Sequence, residues 1–355
     1  MVDAFSLVLA DDYSGSNMKV LADYRSVASI PFGGRYRLID FSLSAICAAD
    51  IRCVGVVARG NYTSLADHLK GGRDFDLSRK NGGLKMITPQ ILNTQSCAEC
   101  EFTALQSADD YIRHMLPNYC IITHGNTIFN ANLSEILQNH INGRADITVA
   151  TKDDKQLLPI YILHKNKLLE ILEKGVKLGV KSIKGDILLN NVLDFSINFS
   201  NIDGYCKVIN SADDYISASF NLLDDNLYKN VLGKRILTKV HDSVPTIYRE
   251  NAFIENSLFA DGCEVNGEVN NSIIFRDVKI GQGAKVKNSI LMQGCVVEPG
   301  AVIENCVADK KVRFESRSET TGKDFKIFKK RTMVEGLQKQ KFSFNGGNNI
   351  ENNVY

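Results

Sequence analysis

Residues 273–306 read IIFRDVKIGQGAKVKNSILMQGCVVEPGAVIENC, and the spacing of their aliphatic positions decides the fold of the C-terminal part of the chain. Ile274, Ile280 and Val286 lie six apart; after a five-residue step, Leu291, Val297 and Ile303 repeat the interval. The pieces IGQGAKV and VEPGAVI mark one turn twice, each with a glycine at the corner. A six-residue aliphatic repeat with glycine at its turns suits a parallel β-helix, because each coil buries its apolar row on the coils beside it. Strands of a sandwich would instead alternate with period two and turn at irregular intervals. The repeat predicts a parallel β-helix over residues 244–330, of about four coils, with SRSETTGKDFKIFKKRT supplying a last strand. A tail over 331–355 follows, and its end, FSFNGGNNIENNVY, has the Asn-rich composition of a poorly ordered segment.

Upstream, over residues 1–243, the rhythm is different. Apolar runs such as IRCVGVVA (51–58) and NYCIITHG (118–125) alternate with helix-like segments such as SLADHLKGG and ALQSADDYIRHML. That alternation predicts a Rossmann-like α/β domain with a mostly parallel sheet. A chain of 355 residues with 44% hydrophobic content has enough material for two cores. Its 42 Lys and Arg nearly balance 41 Asp and Glu, so no global field favours nucleic acid or an anionic membrane, and any basic site is local. The opening MVDAFSLVLADD lacks the charged start and long apolar run of a signal peptide, and no run approaches membrane-spanning length, which together read as a cytoplasmic protein. Nine scattered cysteines fit reduced thiols better than a disulfide framework; the CxxC pair Cys97 and Cys100 reads as ordinary loop cysteines or as a zinc or redox pair.

The string ASIPFGGRYRLIDFSLS (28–44), taken with RDFDLSRKNGGL (73–84), closely resembles the glucose-1-phosphate adenylyltransferase (ADP-glucose pyrophosphorylase) family of bacterial glycogen synthesis, and within it a regulatory type of subunit. The resemblance covers most of the chain and implies a nucleotidyltransferase domain followed by a left-handed parallel β-helix. Active members carry a GGxGxRL loop after the first strand, whose backbone and arginine hold the nucleotide phosphates. Here the matching stretch is DDYSGSN, so Asp11 and Asp12 replace the glycines and Ser16 the arginine. The lysine of the family's KPAVPFGG motif falls on Val27, and the metal-binding aspartate of its Gly-Asp pair falls on Asn126 in ITHGNTIF. A second metal carboxylate best matches Asp213, beside Asp214 in NSADDY. The insert that binds glucose 1-phosphate is missing between ITVATKDDKQ and LLPIYIL, and the GTADA motif falls on CEFTA. Gln90 is left as a residue for an adenine edge or as a solvated loop amide.

On this resemblance the catalytic positions are degenerate, while Arg25 and Arg37 match positions near an allosteric phosphate pocket between the two domains. Arginine suits such ligands because its planar fork binds phosphate oxygens bidentately; Arg35 and Arg37 are otherwise surface charges. The implied protein needs no cofactor itself, Mg²⁺ serving the catalytic partner. It assembles as a hetero-oligomer, a tetramer, with a catalytic glucose-1-phosphate adenylyltransferase subunit and responds to a phosphorylated effector. Two rival readings are an active adenylyltransferase, which loses too many parts at once, and a hexapeptide acyltransferase. The latter needs a histidine base on the β-helix, whereas His241 is the last histidine and precedes the repeat.

Overall fold

The computed structural model describes residues 2–11, 18–88, 100–153, 155–233 and 235–336. Asp12, Ser16, Gln90, Cys97 and the Asn-rich end lie outside the described residues. The α/β domain is built on seven strands: β1 (Ala4–Leu9), β2 (Cys53–Val57), β3 (Gly83–Ile87), β4 (Tyr119–His124), β5 (Ile147–Lys152), β6 (Gln156–His164) and β7 (Ile197–Asn201). Their order across the sheet is β7-β5-β6-β4-β1-β2-β3. All neighbouring pairs are parallel except those of β6, which runs antiparallel to both β4 and β5. The central strand β1, AFSLVL, is buried at every residue, which is why it reads as a continuous apolar run. The segment 104–116 forms two short helices, Glu101–Gln106 and Asp109–His114, rather than one. Strands β5 and β6, consecutive in the chain, pair antiparallel.

The C-terminal part is a three-sided parallel β-helix. One face has six strands, from Ile247–Tyr248 to Met333–Val334, and the other two have five each. The six aliphatic positions of the repeat fall on the three faces in rotation. Ile274 pairs with Leu291, Ile280 with Val297 and Val286 with Ile303, all fully buried inside the prism. The prism holds five full coils rather than about four. The first coil escapes the pattern because Ile247, Phe253 and Ile254 are exposed, and the last because Thr320 takes an inward position and the step from Ala308 to its partner Phe328 is longer than those before it.

One face of the prism is buried on both sides. Its strands Ile273–Ile274, Ile290–Leu291 and Cys306–Ala308 send Ile274, Leu291 and Ala308 inward, while Ile273, Ile290 and Val307 pack outward on the α/β domain with Phe275 and Met292. There they meet Leu38, Phe41, Tyr215, Ile216 and Leu222 in a joint core. At roughly 1.5–3 kcal/mol per buried aliphatic or aromatic side chain, these five contribute on the order of 10 kcal/mol to docking, as an upper estimate. Between the domains, residues 235–246 cross without helix or strand.

Candidate functional sites at the sheet edge and in the interdomain cleft

Two places on the α/β domain correspond to the residues singled out by the sequence. The first is the carboxyl edge of the central sheet. Asp11, one residue past the last backbone bond of β1, accepts the backbone N–H of Arg59 at the end of β2, Oδ2 to N 2.6 Å. The Arg59 guanidinium in turn donates to Thr103 Oγ1 at 2.9 Å, so carboxylate, backbone amide and helix start form one chain of contacts. Asn126 follows β4 and is buried; its Nδ2 donates to Ile209 O (3.1 Å) and Asn210 Oδ1 (3.2 Å), while its Oδ1 has no hydrogen-bond partner among the described residues. Asp213 stands exposed in the first turn of the helix Ala212–Phe220; its neighbour Asp214 accepts from Ser211 Oγ at 2.9 Å and pairs with Lys207.

This donor set does not fit a Mg²⁺ ion. Magnesium demands carboxylate or water oxygens in near-octahedral array, and Asn126 offers one neutral amide oxygen. Among the described residues no group of three His, Cys, Asp or Glu is arranged to hold a metal. Val27, at the position of the family's lysine, is buried in a short 3-10 turn and packs into the joint core with the β-helix. That position is therefore part of the domain interface. Cys100 is a free thiol whose Sγ lies 3.6 Å from Thr103 Oγ1 within its own helix cap.

The second place is a cleft of about 160 Å³ between the α/β domain and the β-helix. Arg35, Arg37, Lys239, Arg276 and Lys310 line it, with His68 and His241. The hairpin Pro31–Phe32 to Tyr36–Arg37 delivers the first two; its turn uses positive φ at Gly33 (56°) and Gly34 (80°), conformations that suit glycine. Arg37 is then fixed at the start of helix Leu38–Ala48. Its backbone N–H donates to Asp40 Oδ2 (2.9 Å), and its Nη1 donates to Ser64 O (2.7 Å) and Ser64 Oγ (3.0 Å). Burial lowers its guanidinium to about 10, against the attraction of Asp40 and with the repulsion of Arg25. The other oxygen of Asp40 meets His68 Nε2 at 2.6 Å.

The β-helix supplies Arg276, Gln293 and Lys310 from equivalent points of successive coils, each three residues past a paired position in the series Ile273, Ile290, Val307. Burial and the nearby Arg35 hold the Arg276 guanidinium below its ordinary range, and its buried Nε has no hydrogen-bond partner among the described residues. Lys239, from the crossing segment, is matched by Asp67, Nζ to Oδ2 3.0 Å. Arg35, Arg276 and Lys310 have no ion-pair partner among the described residues, although Arg35 stacks on Tyr36 at 5.3 Å. Arg25 does not line the cleft. It is 6% exposed and forms a buried ion pair with Asp309, joining the segment after the first loop to the fifth coil boundary, and its Nη1 has no partner. A second pair, Asp23 with Lys329, ties the same segment to the β-helix at the surface.

Of the two arginines singled out in the sequence, Arg37 lines the cleft and Arg25 lies beneath it; Lys310, Arg276 and Lys239, which also line it, were not singled out. The available signal was the coil period itself, which puts cations at 276 and 310 on one edge of the prism.

A family model for nucleotidyl transferases matches residues 14–158, and one described as GlmU-like, C-terminal hexapeptide matches residues 243–334. The class is therefore a nucleotidyltransferase-type domain joined to a left-handed hexapeptide β-helix. Over 312 residues the chain is 33% identical to glycogen biosynthesis protein GlgD of Bacillus subtilis (strain 168), covering 86% of this chain and 89% of that one. It is 34% identical over 272 residues to GlgD of Geobacillus stearothermophilus, covering 76% and 79%. It is 25% identical over 342 residues to glucose-1-phosphate adenylyltransferase of Bacillus mycoides (strain KBAB4), covering 85% and 90%. The chain belongs to the GlgD family of glycogen biosynthesis proteins. Among its described residues no helix is long and apolar enough to cross a membrane.

Proposed function

We propose that this chain is a non-catalytic, regulatory subunit that assembles in the cytoplasm with a catalytic glucose-1-phosphate adenylyltransferase and tunes the formation of ADP-glucose for glycogen synthesis. The observation that carries this reading is the contrast between the two sites. At the sheet edge, Asp11 and Asn126 are engaged with the chain's own backbone. In the cleft, Arg35, Arg276 and Lys310 have no ion-pair partner among the described residues. Phosphoryl transfer depends almost wholly on positioning and charge neutralisation, and a carboxylate at Asp11 opposes a triphosphate where a cradle is needed. A small phosphorylated ligand suits the cleft by size and charge, with Arg37 and Arg276 as its anchors. Arg25 supports the pocket through Asp309.

On this reading the chain needs no metal, and Mg²⁺ belongs to the partner's turnover. The isolated chain is expected to make no ADP-glucose from ATP and glucose 1-phosphate, and Asn126→Asp alone to rescue none, because cradle, metal and sugar pocket act as a unit. Co-expression with a catalytic homologue should give one hetero-oligomeric species, a tetramer, with altered substrate affinity or effector response. Turnover by the isolated chain near the ~10 s⁻¹ usual for enzymes, or two separately eluting species with the partner's kinetics untouched, would refute the proposal.

A further inference from the structure

We infer that anion binding in the interdomain cleft takes up a proton at the Lys310 side chain, so that the ligand is held more weakly as pH rises above neutrality. The inference rests on the effector-cleft reading above and adds its regulation. Lys310 is half-buried on the edge of the β-helix that faces the α/β domain. Its ammonium has no carboxylate partner among the described residues. The adjacent Asp309 is already engaged, by the Arg25 guanidinium and by the backbone N–H of Lys310 itself at 2.6 Å.

The groups facing Lys310 are cationic on every side. From the α/β domain come Arg37, held by Ser64 above Asp40, and Arg25. The next coil of the β-helix adds Lys330, an earlier coil adds Arg276 on the same edge, and across the cleft stands Arg35. The acids nearby are claimed: Asp67 by Lys239, and Asp40 by His68 and the Arg37 backbone. His241, exposed on the crossing segment, adds no negative charge.

An arginine keeps its charge at any physiological pH, whereas a crowded lysine can shed its proton. Lys310 is thus where the cluster relieves its self-repulsion. Burial first, then Arg37 and Arg25, push its ammonium down to about 8 against the pull of Asp309. A divalent anion seated on the arginines replaces that repulsion with attraction and raises the amine back toward its ordinary range of ~10.4, against the burial that still opposes its charge. By linkage no proton moves well below pH 8, and close to one is taken up per anion above it. This window lies above the range in which unperturbed imidazole titrates.

Sulfate is a suitable probe because its charge is constant from pH 7 to 9. Calorimetric titration of the full chain should show sulfate bound about tenfold more weakly at pH 9 than at pH 7. At pH 8.5, two buffers of different ionisation enthalpy should report net proton uptake. Lys310→Arg should bind with a flat profile over that range, and Lys310→Met should bind more weakly and also flatly. Sulfate affinity that is unchanged between pH 7 and 9, or a tenfold slope that survives in Lys310→Arg, would overturn the coupling while leaving the cleft as an anion site. Absence of sulfate binding at any pH would remove the cleft reading itself, and this inference with it.

Discussion

The carboxyl edge of the central sheet and the cleft against the β-helix both present polar side chains within one α/β domain, yet they differ in how those side chains are matched. At the edge, the Asp11 carboxylate has the Arg59 amide and Asn126 Nδ2 has Ile209 and Asn210, while the neutral Asn126 Oδ1 and one Arg59 nitrogen are buried without a partner among the described residues. In the cleft, of five cations only Lys239 has an ion-pair partner among the described residues, Asp67. Buried and half-buried polar groups are normally satisfied, so a set left unmatched points to a ligand more strongly than residue types do. The comparison teaches that a site closed on the chain's own contacts and a site proposed to take a ligand carry different marks: internal hydrogen bonds in the first case, uncancelled charge in the second.

The largest effect that would break this comparison lies beneath the cleft, at the Arg25–Asp309 pair. Both side chains are buried, 5% and 4% exposed. Removing one partner, as Arg25→Met or Asp309→Leu, leaves a charge without a counterion and should cost about 3–5 kcal/mol in urea unfolding. The double variant should recover most of the loss, since no uncompensated charge remains. A double variant as unstable as the sum of the singles would show that the pair holds the domains by geometry rather than by charge.

At the sheet edge, Asp11→Ala strands the Arg59 N–H and should destabilise by about 1–2 kcal/mol. If the edge is closed structure, ATP should bind neither the parent nor this variant. Measurable ATP binding in Asp11→Ala would mean that the carboxylate blocks a cradle that still exists.

A smaller effect tests the crowding of cations. Lys310 has a folded-state value of about 8, below that of an exposed lysine, so the unfolded chain binds more protons between that value and the ordinary lysine range. Stability contributed by this group therefore rises with pH across that window. Lys310→Met should stabilise the fold at pH 7 by on the order of 1 kcal/mol, and the gain should shrink above pH 8 and be gone beyond the ordinary lysine range. A gain that is equal at pH 7 and pH 10 would remove charge repulsion as its cause.

The smallest change in stability is expected for Arg276→Gln, within about 0.5 kcal/mol of the parent, because this side chain makes no ion pair. Its thermal stabilisation by sulfate should nonetheless fall sharply. An unchanged sulfate response would place the anion elsewhere.

The two-part architecture was present in the sequence, because helix, strand and coil periods are local: Ile274, Ile280 and Val286 announce the prism whatever lies around them. The residue types at Asp11, Val27 and Asn126, which depart from the motif that the resemblance implies, were also legible, since residue type at a motif position needs no structure. The first coil was not, because Ile247 and Phe253 face solvent and break the inward pattern. The contacts that make the cleft were decided only in three dimensions. Arg25 meets Asp309 across 284 positions, and Arg37, Lys239, Arg276 and Lys310 come from three separate parts of the chain. Their meeting depends on which face of the prism docks, and that is set by the outward residues Ile273, Phe275, Ile290, Met292 and Val307 fitting one apolar surface of the α/β domain. Periodicity reveals that a residue faces outward, but burial against a partner surface is a property of the two surfaces together.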